Sequence, residues 1–276
     1  MSLSIMNNTQ SLAAQQSGDR NQRLLGKTFE QLSSGKRINH AADDPAGLII
    51  SEQLLSNLGG LQQALDNVEQ SNSLIQTADS ALGNIGDMLT QARSLALAAQ
   101  SSATNDVSST RANSNEFNAL VSSIQRVASA AQFGTQKILD GSFIDKSVQA
   151  GAQAGQGVPL SIASATADSL GLSSLSLDTP EGATAALDAI DQAISTVTSQ
   201  RGALGATQSN VLETASQSLS AQYANLSAAN STIADADMAK TATDMLRLKI
   251  LVQASLAMQT QANQQPQSVL RLLGAA

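Results

Sequence analysis

The chain has 276 residues, with no Cys, no Trp and a single His, and its formal net charge is −7. The acidic balance argues against nucleic-acid binding, which depends on Lys and Arg contacts to phosphate, and the absence of Cys excludes disulfides and thiolate metal sites. Aromatic residues make up only 2% of the chain, so Ala and Leu must fill the interior, which favours long helices packed side by side.

Residues 1–35 predict a helix with sparse apolar positions among Asn and Gln, and such a helix needs a partner to cover it. Its apolar residues are Leu3, Ile5, Met6, Leu12, Leu24, Leu25, Phe29 and Leu32. The first sixteen residues lack an early positive region and an apolar core, so we expect no secretory signal there. No run of about 18 apolar residues occurs, so we expect no membrane-spanning helix.

The stretch 32–51, LSSGKRINHAADDPAGLIIS, predicts a helix end, a short connector and a new helix start. Gly35 suits the left-handed position past a helix end. Asp44 is a good N-cap because its carboxylate can accept a hydrogen bond from an unpaired backbone N–H, and Pro45 fits the first helical position. By composition alone, this charged stretch is equally consistent with a solvated loop.

Residues 45–100 predict one long helix whose apolar positions step by three and four, as in a coiled-coil seam. The predicted seam consists of Leu61, Leu65, Val68, Asn72, Ile75, Asp79, Leu82, Ile85, Leu89, Ala92, Ala96 and Ala99. The two successive steps of three from Asp79 to Ile85 predict a stammer that locally overwinds the supercoil. A helix of this length extends roughly 80 Å at about 1.5 Å per residue, which indicates a rod.

A second helix is predicted over 106–131, antiparallel to the first because the connector at 101–105 is short. Residues 132–178 are punctuated by Gly, and the alternation of Val158, Leu160 and Ile162 predicts one or two β-hairpins. Such a small segment cannot build its own core, so we expect it to lie against the helices.

Helix resumes at Thr179, which is followed by Pro180 and Glu181 in the pattern of an N-cap. Its predicted seam is Leu187, Ile190, Ile194, Val197, Arg201, Leu204, Gln208, Val211 and Ala215, continued by Leu219, Tyr223 and Leu226. Arg201 and Gln208 are then polar seam positions that fix the register. Gly202 is costly inside a helix, and we interpret it as a site of close backbone approach.

The last predicted helix covers 238–263, with Pro266 near its end and further apolar residues at 269–273. Apolar residues occur nearly all round it, so we expect it to be buried on several sides, partly by other subunits. We therefore predict an assembly interface formed by both terminal helices. Its residues are Leu24, Leu25, Leu32, Met245, Leu246, Ile250, Val252 and Leu256.

The residue pattern offers no catalytic or cofactor site. His40 is the single histidine, which leaves no His-based metal cluster and no His-activated serine triad. The adjacent carboxylates of Asp43 and Asp44 are more consistent with a capping role than with acid–base catalysis. The glycines 151, 155 and 157 do not precede a helix with a Lys, which argues against a phosphate loop. We expect no enzyme activity, no metal and no cofactor.

Motifs along the whole chain resemble those of bacterial flagellins. In 32–51, Leu-Ser-Ser-Gly-Lys-Arg-Ile-Asn, Ala-Asp-Asp and Ala-Gly-Leu-x-Ile-Ser match the amino-terminal signature, with Pro45 as an insertion. Further similarities are Gln-Phe-Gly with Ile-Leu-Asp-Gly in 132–141, which lacks the usual Asn, the hairpin motif 148–156, Gln-Arg-x-x-Leu-Gly-Ala in 200–206, and the carboxy-terminal signature in 231–239 and 261–270. The full Pro-Gln-Ser-Val-Leu ending at 266–270 is typical of filament subunits.

The resemblance implies a mainly α fold, with a long antiparallel coiled-coil rod and a small β-hairpin region. It divides the chain into an inner N-terminal helix with connector (1–44), the N-terminal rod helices (45–131), the hairpin region (132–178), the C-terminal rod helix (179–230) and the inner C-terminal helix (231–276). It further implies a structural subunit that self-assembles into the extracellular flagellar filament for swimming motility. Implied partners are the type III export apparatus, an export chaperone, the filament cap and hook-junction proteins.

The resemblance also places three residues at positions of the motif by which flagellins contact an innate-immune receptor. These residues are Arg93, Leu95 and Glu116. Gln91 stands where activating flagellins have Arg, and Ser94 where they have Glu. Because a lost charge-assisted pair removes about 1.5–3 kcal/mol of binding, we expect weak or absent receptor activation.

Two alternatives remain at this stage. A hook–filament junction protein of the same family shares the terminal helices. A chemoreceptor-type signalling coiled coil shares the Ala, Ser and Gln heptads, but it normally requires transmembrane segments. Polymerisation of the purified protein into long tubes, seen by electron microscopy, distinguishes a filament subunit from both.

Overall fold

The computed structural model describes residues 8–101 and 106–274, with side chains described to residue 265. The helices are α1 (Thr9–Ser34), α2 (Pro45–Gln100), α3 (Val107–Ala130), α4 (Pro180–Ala206), α5 (Glu213–Ala234) and α6 (Met238–Gly274), and a π-helical turn (Thr207–Leu212) joins α4 to α5. Strands β1 (Gln132–Phe133) and β2 (Gln136–Lys137) form one antiparallel pair, and β3 (Lys146–Gln149) and β4 (Gly157–Leu160) form another. The predicted mainly α fold with a small hairpin region is confirmed.

The chain divides into two compact units. The first combines Met1–Ser56 with Asn225–Ala276, and the second is Asn57–Ala224. The five-part division expected from the sequence stays a prediction. Leu3, Ile5 and Met6, most of the connector at 101–105, and the side chains of 266–276 lie outside the described residues.

The helix boundaries predicted from capping residues are confirmed. The Asp44 carboxylate accepts a hydrogen bond from the Gly47 backbone N–H (2.9 Å) at the start of α2. Gly35 has φ 72° and donates its N–H to the Gln31 carbonyl at the end of α1. Thr179 caps α4 by accepting from the Gly182 N–H. One end differs, because α6 continues past Pro266 to Gly274; the missing N–H of a single proline removes one helical bond without ending this helix.

The buried face of α2 follows an unbroken heptad pattern through the second unit. Its residues are Leu61, Ala64, Val68, Ser71, Ile75, Ala78, Leu82, Ile85, Leu89, Ala92, Ala96 and Ala99. The predicted stammer is wrong, because Ser71 and Ala78, not Asn72 and Asp79, occupy the buried positions.

The face that α4 buries also differs from the predicted seam beyond Val197. Gln200 is half-buried and Arg201 is exposed, with its guanidinium bound to the Asp79 carboxylate (Nε to Oδ1, 2.7 Å). Leu212 is buried, whereas Val211 is 40% exposed. The predicted polar seam position at Arg201 is therefore wrong, because a long cationic side chain reaches a surface carboxylate at lower cost than it enters a seam.

Gly202 does not mark a close approach within this chain. It is exposed, and a Cβ added to it would meet no described atom within 4 Å outside its own helical turn. The expectation that another backbone of the chain requires this glycine is wrong. Gly202 is thus an exposed helical position where a side chain can be added without a clash, so a substitution there reports helix propensity directly.

The hairpin region is held in the second unit by buried apolar side chains, as expected for a segment without a core of its own. These are Ile138, Leu139, Phe143, Leu160, Ile162, Leu170, Leu172 and Leu177. The Asn67 side chain of α2 donates to the Gln149 carbonyl (3.2 Å), and the Gln125 side chain of α3 accepts from the Ala167 N–H (3.0 Å). Polar side chains of the helices thus satisfy backbone groups of the loops.

Candidate assembly surface

Helices α1 and α6 pair within the first unit. The less exposed residues of α1 include Ser11, Ala14, Gly18, Asn21, Leu25, Thr28 and Leu32, and those of α6 include Thr241, Met245, Leu248, Val252, Ser255, Gln259 and Ala262. Both sets step by three and four. The helices are antiparallel, because the Asn8 side chain near the start of α1 donates to the Ala262 carbonyl (2.8 Å) late in α6.

The face that joins α1 to α6 mixes larger apolar side chains with small and polar ones. A Cβ on Gly18 would lie 3.6 Å from the Ser255 Cβ, so the backbones approach closely there. Thr28 and Thr241 are buried, and each donates its hydroxyl to the carbonyl four residues earlier. The small and polar residues reduce the apolar surface that this face can bury, and with it the hydrophobic stabilisation.

The eight predicted interface residues divide into two groups. Half-buried on the faces that pair are Leu25, Leu32, Met245 and Val252. Exposed are Leu24 (45%), Leu246 (57%), Ile250 (65%) and Leu256 (63%). The first group can stabilise the helix pair within one chain, and only the second group is free to contact another molecule.

The first unit has further exposed apolar residues outside the predicted set. They are Leu12, Phe29, Ile49, Ile50, Leu55, Met238, Leu251 and Met258. Ile49 and Ile50, in the first turns of α2, escaped the sequence prediction, although the apolar run Leu48-Ile49-Ile50 just after a helix start is a usable signal. Exposed apolar residues in this number are typical of protein–protein contact sites. We call Leu24, Leu246, Ile250, Leu256 and these eight residues the outer apolar surface.

In the first unit, the start of the connector between α1 and α2 pairs with the turn between α5 and α6. Lys36 and Asp235 form an isolated antiparallel bridge, flanked by hydrogen bonds from the Arg37 N–H to the Ala234 carbonyl (2.7 Å) and from the Ala236 N–H to Gly35 (2.9 Å). This bridge couples the end of α1 to the turn between α5 and α6.

Side chains of the connector reinforce this arrangement. The Arg37 guanidinium donates to the Ile233 carbonyl (2.6 Å) at the end of α5, where a positive charge interacts favourably with the helix dipole. It also reaches the Asp44 carboxylate (3.4 Å). His40 Nε2 lies 2.8 Å from the Glu30 carboxylate. The charged connector is therefore ordered by its partners and is not a freely solvated loop.

Asp43 is the most strongly held carboxylate of the connector. It lies 2.7 Å from the Lys27 ammonium and accepts from the backbone N–H groups of Asn39 and His40 (3.1 Å each). The bond from Lys27, followed by the two backbone bonds, lowers the pKa of Asp43 to about 2. Both adjacent carboxylates thus have structural partners, because Asp44 caps α2.

Within the described ranges, no three His, Cys, Asp or Glu residues are grouped so that they could hold a metal ion. None of the described helices is long and apolar enough to cross a membrane.

The three predicted receptor-recognition residues belong to the second unit. Arg93 and Leu95 lie on α2, and Glu116 is exposed on α3. Arg93 donates to both carboxylate oxygens of Asp191 on α4 (2.6 and 3.4 Å), which raises its pKa. Leu95 is half-buried. Arg93 is thus already engaged within the chain.

Most of the chain is similar to known protein families and to solved structures. Residues 5–144 match the family described as the bacterial flagellin N-terminal helical region, and residues 187–273 match the bacterial flagellin C-terminal helical region. A flagellin of Halalkalibacterium halodurans is 42% identical over 90% of this chain and 91% of its own length. A flagellar filament 30.7 kDa core protein of Treponema maltophilum is 36% identical over 93% and 94%. The crystal structure of Bacillus cereus flagellin, 25% identical, covers 60% of this chain and 94% of that chain with a TM-score of 0.49.

Proposed function

This chain belongs to the bacterial flagellin family, and from that premise we propose how its first unit joins subunits together. The chain is a structural, self-associating subunit of the bacterial flagellar filament. We assign no catalytic step to it. The observation that supports our assembly proposal is the outer apolar surface of α1, α2 and α6, which the chain itself leaves uncovered.

We propose that neighbouring subunits bury the outer apolar surface. Each apolar Å² removed from water is worth about 25 cal/mol, so a few hundred Å² per subunit supplies roughly 5–10 kcal/mol before ordering costs. The face between α1 and α6 includes small and polar residues among its apolar ones, so burial of the outer apolar surface by neighbours adds to the stability of this helix pair. Assembly and ordering of the terminal helices are then coupled.

The test is to place one charge on this surface without disturbing the fold. Ile250→Glu changes a residue that is 65% exposed, so the subunit should remain folded, while burial of the carboxylate against a neighbour should prevent filament formation. Sedimentation and electron microscopy of the purified protein measure assembly, and circular dichroism checks the fold.

The matched control is Gln253→Glu, which adds the same charge at an exposed polar position of the same helix. We expect this variant to assemble far better than Ile250→Glu. Normal filaments from Ile250→Glu would refute the proposed surface, and equal loss in both variants would show that charge on α6, not burial of Ile250, prevents assembly.

We further propose that the chain acts outside the cell and reaches the filament tip through the flagellar type III export apparatus. The outer apolar surface is an aggregation liability before assembly, so an export chaperone that covers α6 is an expected partner. The filament cap and the hook-junction proteins are the expected neighbours at the two ends of a filament. Removal of 238–276 should abolish co-purification with the export chaperone.

For the innate-immune receptor we propose weak or absent activation. Arg93 is paired with Asp191, so a receptor carboxylate must compete with an existing partner. Gln91 and Ser94 are exposed and uncharged, and each missing charge-assisted bond removes about 1.5–3 kcal/mol. A cell reporter assay should show little response, and monomer as potent as a strong agonist at nanomolar dose would refute the proposal.

A further inference from the structure

The continuous helix made of α4, the π-helical turn and α5 contains one residue more than its heptad pattern needs. Leu204 and Leu219 are both buried and stand fifteen positions apart, whereas two heptads span fourteen. From Leu204 to the buried Leu212 is eight positions, and from Leu212 to Leu219 is a regular seven. The first of these two intervals therefore holds the extra residue.

The π-helical turn is how the backbone absorbs this residue. At its end the Glu213 N–H donates to the Gln208 carbonyl, five residues back, and at its start the Thr207 N–H is shared between Ala203 and Leu204. A π-type turn takes in one residue more than an α-turn. The turn brings Leu212 into the buried face where a regular helix would bring Val211.

A second placement of the extra residue is available between the same two anchors. In a regular helix Val211, seven positions after Leu204, would be buried, and the extra residue would fall between Val211 and Leu219. The residues after Leu212 that would then form the wide turn are Glu213, Thr214, Ala215, Ser216, Gln217 and Ser218. None of them is a large apolar side chain, so moving the turn exchanges Leu212 for Val211 and displaces no other large apolar residue.

The part of α2 that corresponds to the π-helical turn contains one buried polar atom without a partner. Arg201 bonds to Asp79, and antiparallel helices advance equally in opposite directions, so the turn should correspond to residues 68–73 of α2. Within the described part of the chain Asn72 Oδ1 is buried without a hydrogen bond, whereas the buried Ser71 hydroxyl donates to the Asn67 carbonyl (2.7 Å). A buried polar atom without a hydrogen bond costs free energy, so the described packing is less favourable at Asn72 than a fully bonded one.

We propose that residues 204–219 form a two-position register element, in which the extra residue resides either before Leu212, as described, or after Val211. Leu204 and Leu219 stay buried in both positions, so the change turns only the side chains between them. Its use, to present two surfaces to a neighbouring subunit, rests on the proposed function, whereas the element itself is testable on the isolated subunit.

The chain has no Cys, so single thiols can report which residue is buried. Leu212→Cys should react slowly with a maleimide in the free subunit, because the thiol is exposed only in the less populated arrangement in which Val211 is buried. Adding Val211→Leu should raise that rate about fourfold, the factor carried by one more buried methylene in the competing position. Deleting Ser209 from the Leu212→Cys chain removes the extra residue and should lower the rate below that of Leu212→Cys alone.

The control distinguishes register exchange from general unfolding. Leu219→Cys is buried in both positions, so Val211→Leu should leave its reaction rate unchanged. A Leu212→Cys rate that is insensitive to Val211→Leu would overturn the proposal, and so would equal acceleration at positions 212 and 219. Neither readout requires a filament, so failure of assembly leaves this inference standing.

Discussion

Arg37 and Asp43 hold the connector of the first unit through bonds to backbone groups as much as to other charges. Arg37 caps the end of α5 through the Ile233 carbonyl. The Asp43 carboxylate accepts hydrogen bonds from two backbone N–H groups of its own turn and lies beside the Lys27 ammonium. Bonds between a charged group and the backbone need no second flexible side chain to be ordered. Single charges in this chain therefore matter where they satisfy backbone groups.

The first residue-scale prediction concerns pH and Asp43. The pKa of Asp43 is about 2 in the folded chain and near 3.9 in an unfolded one. Its contribution to the free energy of unfolding is therefore complete above about pH 4 and is lost as the pH falls towards 2. Asp43→Asn should lower the free energy of unfolding by about 1 kcal/mol at pH 7, because Lys27 is half-exposed and screened. At pH 2 the difference should nearly vanish. Urea unfolding of the assembled protein at both pH values measures this, because the first unit is expected to be ordered there.

Asp66→Asn is the control for this pH effect, since the Asp66 carboxylate is exposed and, among the described residues, accepts a hydrogen bond only from the Gln62 side chain. It should change stability little at either pH. A loss from Asp43→Asn that is equally large at pH 2 and pH 7 would contradict the assigned linkage.

A second residue-scale prediction concerns the Arg201–Asp79 pair between α4 and α2. Both side chains are nearly half-exposed (46% and 43%), so we expect a coupling energy of only about 0.5–1 kcal/mol from a double-mutant cycle with Arg201→Gln and Asp79→Asn. The coupling should weaken in 1 M salt. Coupling above about 2 kcal/mol would mean that the pair is more buried than its exposure indicates.

At the scale of the element, α4 contains two glycines that differ in the space available for a side chain. Gly182 follows the N-cap, and a Cβ there would lie 2.6 Å from the Ser176 carbonyl. Gly202 is exposed, with no described atom near its missing Cβ outside its own turn. One glycine is required by a close approach and the other is not, although both look alike in the sequence.

We therefore predict opposite effects of the same substitution in one helix. Gly202→Ala should stabilise the free subunit by about 0.5–1 kcal/mol, because Ala has the higher helix propensity. Gly182→Ala should destabilise it by about 1–3 kcal/mol, because the start of α4 must move away from Ser176. Thermal unfolding of the two variants measures the difference, and a destabilising Gly202→Ala would mean that the exposed position is not a regular helical one.

At the scale of the whole molecule, the two units bury their apolar residues differently. The second unit fills its interior with large side chains that are almost fully buried, among them Phe117, Ile124, Ile138 and Ile190. The first unit buries few such residues and leaves the outer apolar surface exposed. The second unit should therefore be stable alone, and the first should depend on assembly.

Removal of residues 238–276 tests this division. The remaining chain should keep the helical circular dichroism of the second unit and remain monomeric, because its seams are satisfied within Asn57–Ala224. In the full-length free subunit, limited proteolysis should cut within α1 and α6 first. Normal filaments from the truncated chain would refute assembly through the ends, and loss of the helical signal would show that the ends belong to the folding core.

The interval between α3 and α4 predicts the filament surface. It contains only the two small strand pairs and their loops, with no room for a further globular domain. We expect a thin, smooth filament whose outermost layer is the rod and its hairpins. Density for an additional outer domain in a filament reconstruction would contradict this expectation.

The sequence by itself determined the capped helix ends, the class of fold and the family, because capping residues, apolar periodicity and terminal motifs are local signals. It missed the continuation of α6 past Pro266. It did not determine which phase of the periodicity is buried. The spacing of three and four favours Asn72, Asp79 and Val211 over Ser71, Ala78 and Leu212, and only the neighbouring elements decide between adjacent positions. The sequence also predicted the apolar terminal residues but could not separate Leu25 from Leu24. That division depends on where α1 meets α6, and a contact between distant parts of the chain leaves no local signal in either helix.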